Sequence, residues 1–464
     1  MPTVGVKRDE LFAQLGKNYT EEQFADLCFD YGLELDEVTS EKEMIAKEQG
    51  SEKAEGGSET VIYKIDVPAN RYDLLCIEGL TLGLMIFQEQ CLAPRYQTIN
   101  VTAPQQLIVQ PATAGVRPFV VAAILRDITF RQDRYQSFID LQDKLHQNIG
   151  RQRSLVAIGT HDLDTIEGPF TYDAQRPSDI RFVPLNQTKE FSAEELMTLY
   201  ATDSHLKQYL AIIKKKPVYP VIRDKNGVVL SMPPIINSEH SKITLKTRNV
   251  FIECTATDLN KASIVLDTIV CMFSQYCQTP HQAEGVEIVC LDGAKRVYPK
   301  LPYRKDVVSV EKINRGIGID EPAERIAKLL NKMCLRSTVS GDVIEVEIPP
   351  TRHDVIHACD VAEDVAIAYG FNNVARVVSD TNCVARQLPI NKLTDLLRES
   401  VAAAGFTECL TFALCSRDDI ADKLRKRIED CRAVHISNPK TLEFQARAST
   451  GARVKIVAYH KDPM

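Results

Sequence analysis

Along this chain the apolar residues shift between two spacings, and each shift marks a change of element. Val61 to Val67 and Glu345 to Ile348 alternate with a period of two, as strands do, and Pro118 to Leu125 is a continuous apolar run that reads as a buried strand. Phe138, Leu141, Leu145 and Ile149 recur at helical spacing, which predicts a helix over 137–149. Leu393, Leu396, Leu397 and Val401 do the same, with Gly405 ending that helix before a strand at 409–414. Asn226-Gly227 between two apolar runs predicts a hairpin. Pro349-Pro350 closes the strand at 345–348 and predicts a helix over 357–369, and Asp73 is placed to N-cap the helix that carries Ile77 to Leu80. The segment Ser309 to Leu335 reads as an apolar-faced helix.

The elements group into a multidomain α+β chain of small mixed modules. The boundaries fall at 1–100, with a polar insertion over 40–60, then at 115–280, 300–378 and 386–464. Residues 68–73 and 350–354 both run from proline through arginine to aspartate after a strand. Two such short segments do not establish a repeat.

Composition then limits the function. A net charge of −7 and a pI near 5.8 exclude nucleic-acid binding through the overall field, so any RNA contact is local or shared with a partner. The 13 cysteines are scattered without Cys-x-x-Cys spacing, which fits a reducing cytosol rather than a disulfide framework or a zinc ribbon. The first residues are too polar for a secretory signal, and the longest apolar run, 119–125, is too short to cross a bilayer. The expectation is a cytoplasmic protein that does not span a membrane. No phosphate loop, dinucleotide fingerprint or His-Glu-x-x-His helix is found, so no complete ATP site can be assembled from the sequence.

The densest chemistry is acidic. On a helix over 357–369, Asp360, Glu363 and Asp364 share one face, with Asp354 approaching from the preceding turn. Like charges at this spacing repel by roughly 0.2–0.5 kcal/mol per pair. One reading places Mg2+ among these oxygens. The other leaves them in water, favourably placed at a helix N-terminus.

The stretch from Pro349 to Asn373, with Arg352-x-Asp354, then Asp360-x-x-Glu363-Asp364, then Tyr369-Gly370-Phe371, resembles a domain of the beta subunit of phenylalanyl-tRNA synthetase. The segment Pro68 to Gly79 resembles that family's N-terminal beta-subunit domain. Ile158 to Asp164 and Met232 to Ser241 resemble its editing domain, in which a mischarged tyrosyl ester is hydrolysed from tRNA. The resemblance implies that Asp354, Asp360, Glu363 and Asp364 bind Mg2+ and that His161, Asn237, Glu239, His240 and Ser241 line the editing site. It also implies an incomplete, class II synthetase-like antiparallel sheet over 386–464. The partner it implies is an alpha subunit in an alpha2-beta2 assembly of the cytosolic eukaryotic or archaeal kind. That subunit would use ATP to join phenylalanine to tRNA.

By motif alone, His161 and Asp162 equally read as a loop cap and Asn237 to Ser241 as a turn. A nucleophilic set from Glu239, His240 and Ser241 is disfavoured, because adjacent residues of an extended strand point to alternating faces. The family-like pattern runs to Gln445, after which the ending looks altered. Two other readings follow: a binding or regulatory product that does not join the synthetase, and an independent metal-dependent hydrolase using the acidic residues.

Overall fold

In the computed structural model, described residues are 2–44, 58–378, 385–409, 413–431, 433–436, 439 and 441–447. The chain divides into two compact units, Met1–Arg376 and Val377–Met464.

The first unit opens with β1 (Thr3–Lys7), α1 (Arg8–Leu15), α2 (Glu21–Tyr31), β2 (Glu34–Ser40), β3 (Val61–Asp66) and α3 (Ile77–Phe87). The strands form an antiparallel sheet in the order β1-β3-β2. Alternation in β1 buries Val4 and Val6 against Phe12, Phe24 and Tyr63. Asp73 does not cap α3, as the sequence suggests. It sits in a 3-10 turn, Tyr72–Leu74, where the buried Arg71 guanidinium donates to both its oxygens at 2.9 and 2.8 Å. The N-cap of α3 is Cys76.

The middle of the unit is built on an eleven-stranded sheet. Its main elements are β4 (Gln106–Val109), β5 (Phe119–Leu125), α4 (Gln132–Gln147), β6 (Val156–Asp162), β7 (Phe170–Gln175), β8 (Tyr219–Arg223), β9 (Val229–Met232), β10 (Ile236–Asn237), β11 (Val250–Ala256), α5 (Leu259–Phe273) and β12 (Gln282–Val289). The path runs β10-β9-β8-β7-β4-β12-β5-β11-β6. The expected hairpin joins β8 to β9, and the buried Asp224 carboxylate accepts from the Asn226 and Val228 amides to hold its loop. Helix α4 begins five residues earlier than the spacing marks, since its first turn is polar. Its apolar stripe, Phe138, Leu141 and Leu145, meets Phe273 and Ile269 of α5 in the core.

The unit closes with β13 (Arg304–Ser309), α6 (Val310–Ile317), α7 (Ala323–Lys332), β14 (Arg336–Ser340), β15 (Val343–Ile348) and α8 (Ala358–Tyr369). Its antiparallel sheet has the order β13-β15-β14, so it repeats the topology of the first module element for element. The helix expected over Ser309–Leu335 is two helices. Gly318 turns left-handed at φ 85°, and the Asn314 side chain closes the corner onto the Glu321 backbone at 2.8 and 3.2 Å before Pro322.

The Pro-to-Asp turns of the two repeats face each other. Arg352, 1% exposed, donates to Asp354 at 2.7 Å, to Asp364 at 2.6 Å and to the Met333 carbonyl at 2.6 Å. The charge of Asp354 is felt at Arg71, and that of Arg71 at Arg352.

The second unit contains α9 (Pro389–Ala403) and a small antiparallel sheet in which Ala446–Arg447 lies between Leu414–Cys415 and Val434–His435. Residues 410–412 of the strand expected over 409–414 lie outside the described residues, as does the chain from 448 on.

Two outcomes are expected. Replacing Arg352 with Met leaves two buried carboxylates without their cation and lowers unfolding stability by about 3–5 kcal/mol, as read from the denaturant midpoint; a loss below ~1 kcal/mol contradicts the buried-pair assignment. Asp267 of α5 is 3% exposed, and burial pushes its carboxyl up to about 8. A carboxyl whose folded pKa is raised stabilises fully below its unfolded value, and that contribution is lost as pH climbs to about 8. Asp267→Asn should therefore flatten the fall in melting temperature between pH 5 and pH 8 relative to wild type, and an unchanged slope rules the assignment out.

Candidate functional site

The middle module encloses a cavity of about 250 Å³ between α4, β6, β11 and the Pro233–Asn237 segment. Its walls are partly apolar, through Ile139, Ile158 and Ile235, and partly polar, through Gln142, His146, Arg153, Thr160, Asn237 and Glu253.

Each polar group is positioned by its element. Glu253 is the one charged residue of β11, at its centre, and is 1% exposed. One carboxylate oxygen accepts from the Ser231 hydroxyl of β9 at 2.9 Å, while Oε2 has no hydrogen-bond partner. Gly159 of β6 permits this placement, because a Cβ there would collide with Glu253 Oε1. His146, in the last turn of α4, is 5% exposed and accepts from the Ile158 amide at Nε2, 2.8 Å, leaving Nδ1 without a partner.

The rim is a backbone device. Arg151, Gln152 and Arg153 are consecutive left-handed residues with φ of 44°, 52° and 63°, each costing roughly 1–2 kcal/mol for a residue with a Cβ. Arg117 compensates from beneath. Fully buried, it donates to the carbonyls of Arg153, Ser154 and Thr255 at 3.2, 3.1 and 2.8 Å. Arg153 then reaches across, stacking on Tyr209 at 4.3 Å and donating to the Ile235 carbonyl at 3.0 Å. This clamps the Pro233–Asn237 wall to the turn.

Of the five residues expected to line an editing site, the structure brings Asn237 to the cavity. His161 and Ser241 lie fully buried nearby, Nδ1 to Oγ at 2.8 Å, with His161 Nε2 3.9 Å from Glu253 Oε1. Ser241, His161 and Glu253 thus run in a line. The last step is too long for a hydrogen bond, and the enclosed hydroxyl cannot meet a ligand as a nucleophile. Glu239 accepts from the Asn186 amide and pairs with Lys242, and exposed His240 meets the Thr165 carbonyl at 2.8 Å. Those two are turn-forming residues, so Glu239, His240 and Ser241 do not assemble.

The sequence reading missed His146 and Glu253. A glutamate inside Val250-Phe-Ile-Glu-Cys-Thr-Ala256 and a histidine beside Leu145 were the available signals, since a charged or polar group at a core position needs a reason.

The acidic residues do not gather as expected. Asp354 and Asp364 face Arg352, where burial raises Asp364 and the guanidinium overcomes burial to lower Asp354. Asp360 Oδ2 accepts from the Ile356 and His357 amides at 2.7 and 2.8 Å, closing the first turn of α8. Glu363 is exposed. Among the described residues no group of three or more His, Cys, Asp or Glu is disposed to hold a metal ion. The four carboxylates therefore do not fit one closed Mg2+ site, because two of them neutralise a buried arginine. This also removes the basis for an independent metal-dependent hydrolase.

Comparison with known proteins covers most of the chain. Residues 1–90 match the Phe-tRNA synthetase beta subunit B1 domain, 105–278 the B3/4 domain, 307–371 the tRNA synthetase B5 domain, and 376–450 the phenylalanyl tRNA synthetase beta chain CLM domain. The phenylalanine–tRNA ligase beta subunit of Mus musculus is 61% identical over 470 aligned residues, covering 100% of this chain and 80% of the relative. That of Drosophila melanogaster is 59% identical, with the same coverage, and that of Arabidopsis thaliana, named cytoplasmic, is 48% identical over 99% of this chain and 78% of the relative. The alignments thus extend past Gln445, where a departure was expected. A crystal structure of an N-terminal fragment of the phenylalanyl-tRNA synthetase beta subunit from Pyrococcus horikoshii superimposes with a TM-score of 0.70 at 30% identity, covering 79% of this chain and 99% of the fragment. No helix among the described residues is long and apolar enough to cross a membrane.

Ser241→Ala should leave His161 Nδ1 unpaired and lower stability by about 1–3 kcal/mol in chemical unfolding. A nucleophilic Ser241 would instead show as complete loss of any ester hydrolysis in this cavity without loss of stability.

Proposed function

The chain belongs to the phenylalanine–tRNA ligase beta-subunit family, and from that premise we propose that it assembles with an alpha subunit and proofreads the product through its middle module. As an aminoacyl-tRNA ligase subunit it supports the attachment of phenylalanine to tRNA. In this reading ATP and phenylalanine react on the alpha subunit, within an alpha2-beta2 complex in the cytoplasm. The alternative of a product unable to assemble is not favoured, since identity to beta subunits extends over the whole chain.

The observation that carries proofreading is the cavity: a small, partly apolar recess whose polar wall is made by Gln142, His146, Arg153, Thr160, Asn237 and Glu253. Hydrolysis there adds a water oxygen to the ester carbonyl carbon and expels the ribose oxygen, which takes up a proton, giving free amino acid and uncharged tRNA. Asn237 and Thr160 offer polar contacts to the ester end, and Glu253 offers an acceptor.

The Mg2+ assignment narrows to Asp360 and Glu363. One helical turn apart and not committed to Arg352, they suit a cation that keeps most of its water.

The chain co-expressed with the family's alpha subunit should purify as a complex that charges tRNA with phenylalanine and hydrolyses tyrosyl-tRNA. Asn237→Ala should slow the hydrolysis at least tenfold and leave charging unchanged. A soluble chain that never pairs overturns the assembly reading, and a charging complex with intact hydrolysis in the Asn237 variant overturns the role of the cavity.

A further inference from the structure

An aminoacyl ester reaches a cavity of about 250 Å³ with its polymer still attached, so the nucleotides beyond the ester must lie on the surface around the opening. A chain of net charge −7 offers a polyanion no general attraction, and whatever holds those nucleotides has to be local.

Three segments meet at the Arg153 end of the cavity. The Arg117 guanidinium donates to the Arg153 and Ser154 carbonyls, Lys216 Nζ donates to the Gly115 carbonyl at 3.3 Å, and Arg153 stacks on Tyr209, whose hydroxyl accepts from Gln147 at 3.1 Å. The segments joined in this way, 111–126, 144–161 and 204–223, contain no aspartate or glutamate, although the whole chain has 63 acidic residues against 56 basic ones. They present Arg151, Lys207, Lys214, Lys215 and Lys216, all exposed and none in an ion pair with a described residue. The nearest acids before Lys207 and Arg151 in sequence face the protein's own groups: Asp203 accepts from the His205 and Leu206 amides at 2.8 and 2.7 Å, and Asp143 stands 4.0 Å from both His146 and Arg153.

Exposed lysines by themselves serve only to keep a surface soluble. The backbone at Arg151 asks for more than that. This residue is the first of the three left-handed residues of the rim, and the fold spends a buried guanidinium on keeping that turn in place. Backbone strain held against solvent fixes a cation at the edge of the opening, which a solubilising surface does not require.

Resting on the proofreading reading above, we propose that Arg151, Lys207, Lys214, Lys215 and Lys216 form a docking surface for the sugar–phosphate backbone at the aminoacylated end of the tRNA, and so hold the ester at the mouth of the cavity. Phosphate contacts position a nucleic acid without reading its sequence, and lysine makes them as a point charge on a flexible stem. The surface therefore acts on how much tRNA is bound and not on how fast the bound ester reacts.

The test measures hydrolysis of tyrosyl-tRNA, and of a tyrosyl ester of adenosine that has no phosphate, by the complex carrying wild-type chain or a chain with Lys214→Gln, Lys215→Gln and Lys216→Gln together. The expected result is a KM for tyrosyl-tRNA at least tenfold higher in the variant, with kcat held and no comparable rise for the adenosine ester. The slope of log KM against log salt concentration for tyrosyl-tRNA should fall by about 2 in the variant, since each phosphate contact to a single strand contributes ~0.7. An unchanged KM and salt slope overturns the proposal, and so does an equal loss with both esters, the mark of a structural defect.

If the variant does not fold, acetylation of the wild-type complex decides. Uncharged tRNA should protect Lys214 and Lys215 from an amine-reactive acetyl ester, and polyglutamate of equal charge should not; no protection by tRNA, or equal protection by polyglutamate, overturns the assignment to nucleic acid. A wild-type complex that hydrolyses neither ester overturns the proofreading reading itself, and this proposal with it.

Discussion

A guanidinium keeps its charge wherever the chain places it, so an arginine in the interior obliges its surroundings to supply oxygen. Three buried arginines set that requirement in the first unit. Arg71 takes Asp73 and the Tyr31 hydroxyl, Arg352 takes Asp354, Asp364 and the Met333 carbonyl, and Arg117 takes three backbone carbonyls. The first two stand within one another's fields, so the repeated outer modules share a single charged core. The third lies under the cavity rim.

Arg117 explains how the rim can hold a conformation that its residues disfavour. Three left-handed residues in succession persist only where surrounding contacts over-determine them, and here the carbonyl of the last of them, Arg153, and that of the following Ser154 are bound from below by the buried Arg117 guanidinium. Arg153 is thereby aimed across the opening, and the wall it holds carries Asn237. Strain, the buried cation and the unpaired groups of His146 and Glu253 lie in one region. That concentration of unfavourable local terms is what distinguishes the cavity from ordinary core.

The acidic helix shows the opposite outcome. Its spacing was legible, and α8 forms where expected, but the partners of its carboxylates were not. Asp354 and Asp364 were read as mutually repelling, while the structure places Arg352 between them. The arginine belongs to the same motif, two residues before Asp354, yet nothing in a linear pattern says whether a side chain turns toward its neighbours or toward solvent. The same limit applies to Glu239 and His240, whose residue types suit ester chemistry and whose actual partners are the Asn186 amide and Lys242 for the first and the Thr165 carbonyl for the second.

Local order was written in the chain. Period-two alternation located β3 and β15, a continuous apolar run β5, helical spacing α4 and α9, and the double proline the start of α8; Asn226-Gly227 located the hairpin, and the paired Pro-to-Asp segments hinted at two modules that share one topology. These features depend on neighbours in sequence, where backbone geometry and side-chain periodicity act directly. The tertiary structure alone decided that the two segments face each other, that Ser309–Leu335 breaks at Gly318, and that the polar lining of one cavity is drawn from α4, β6, β10 and β11. His146 and Glu253 are 107 positions apart and meet because β11 pairs with β6 beneath α4. Which buried polar atoms are left without a partner depends on every group packed around them, and no stretch of sequence contains that information.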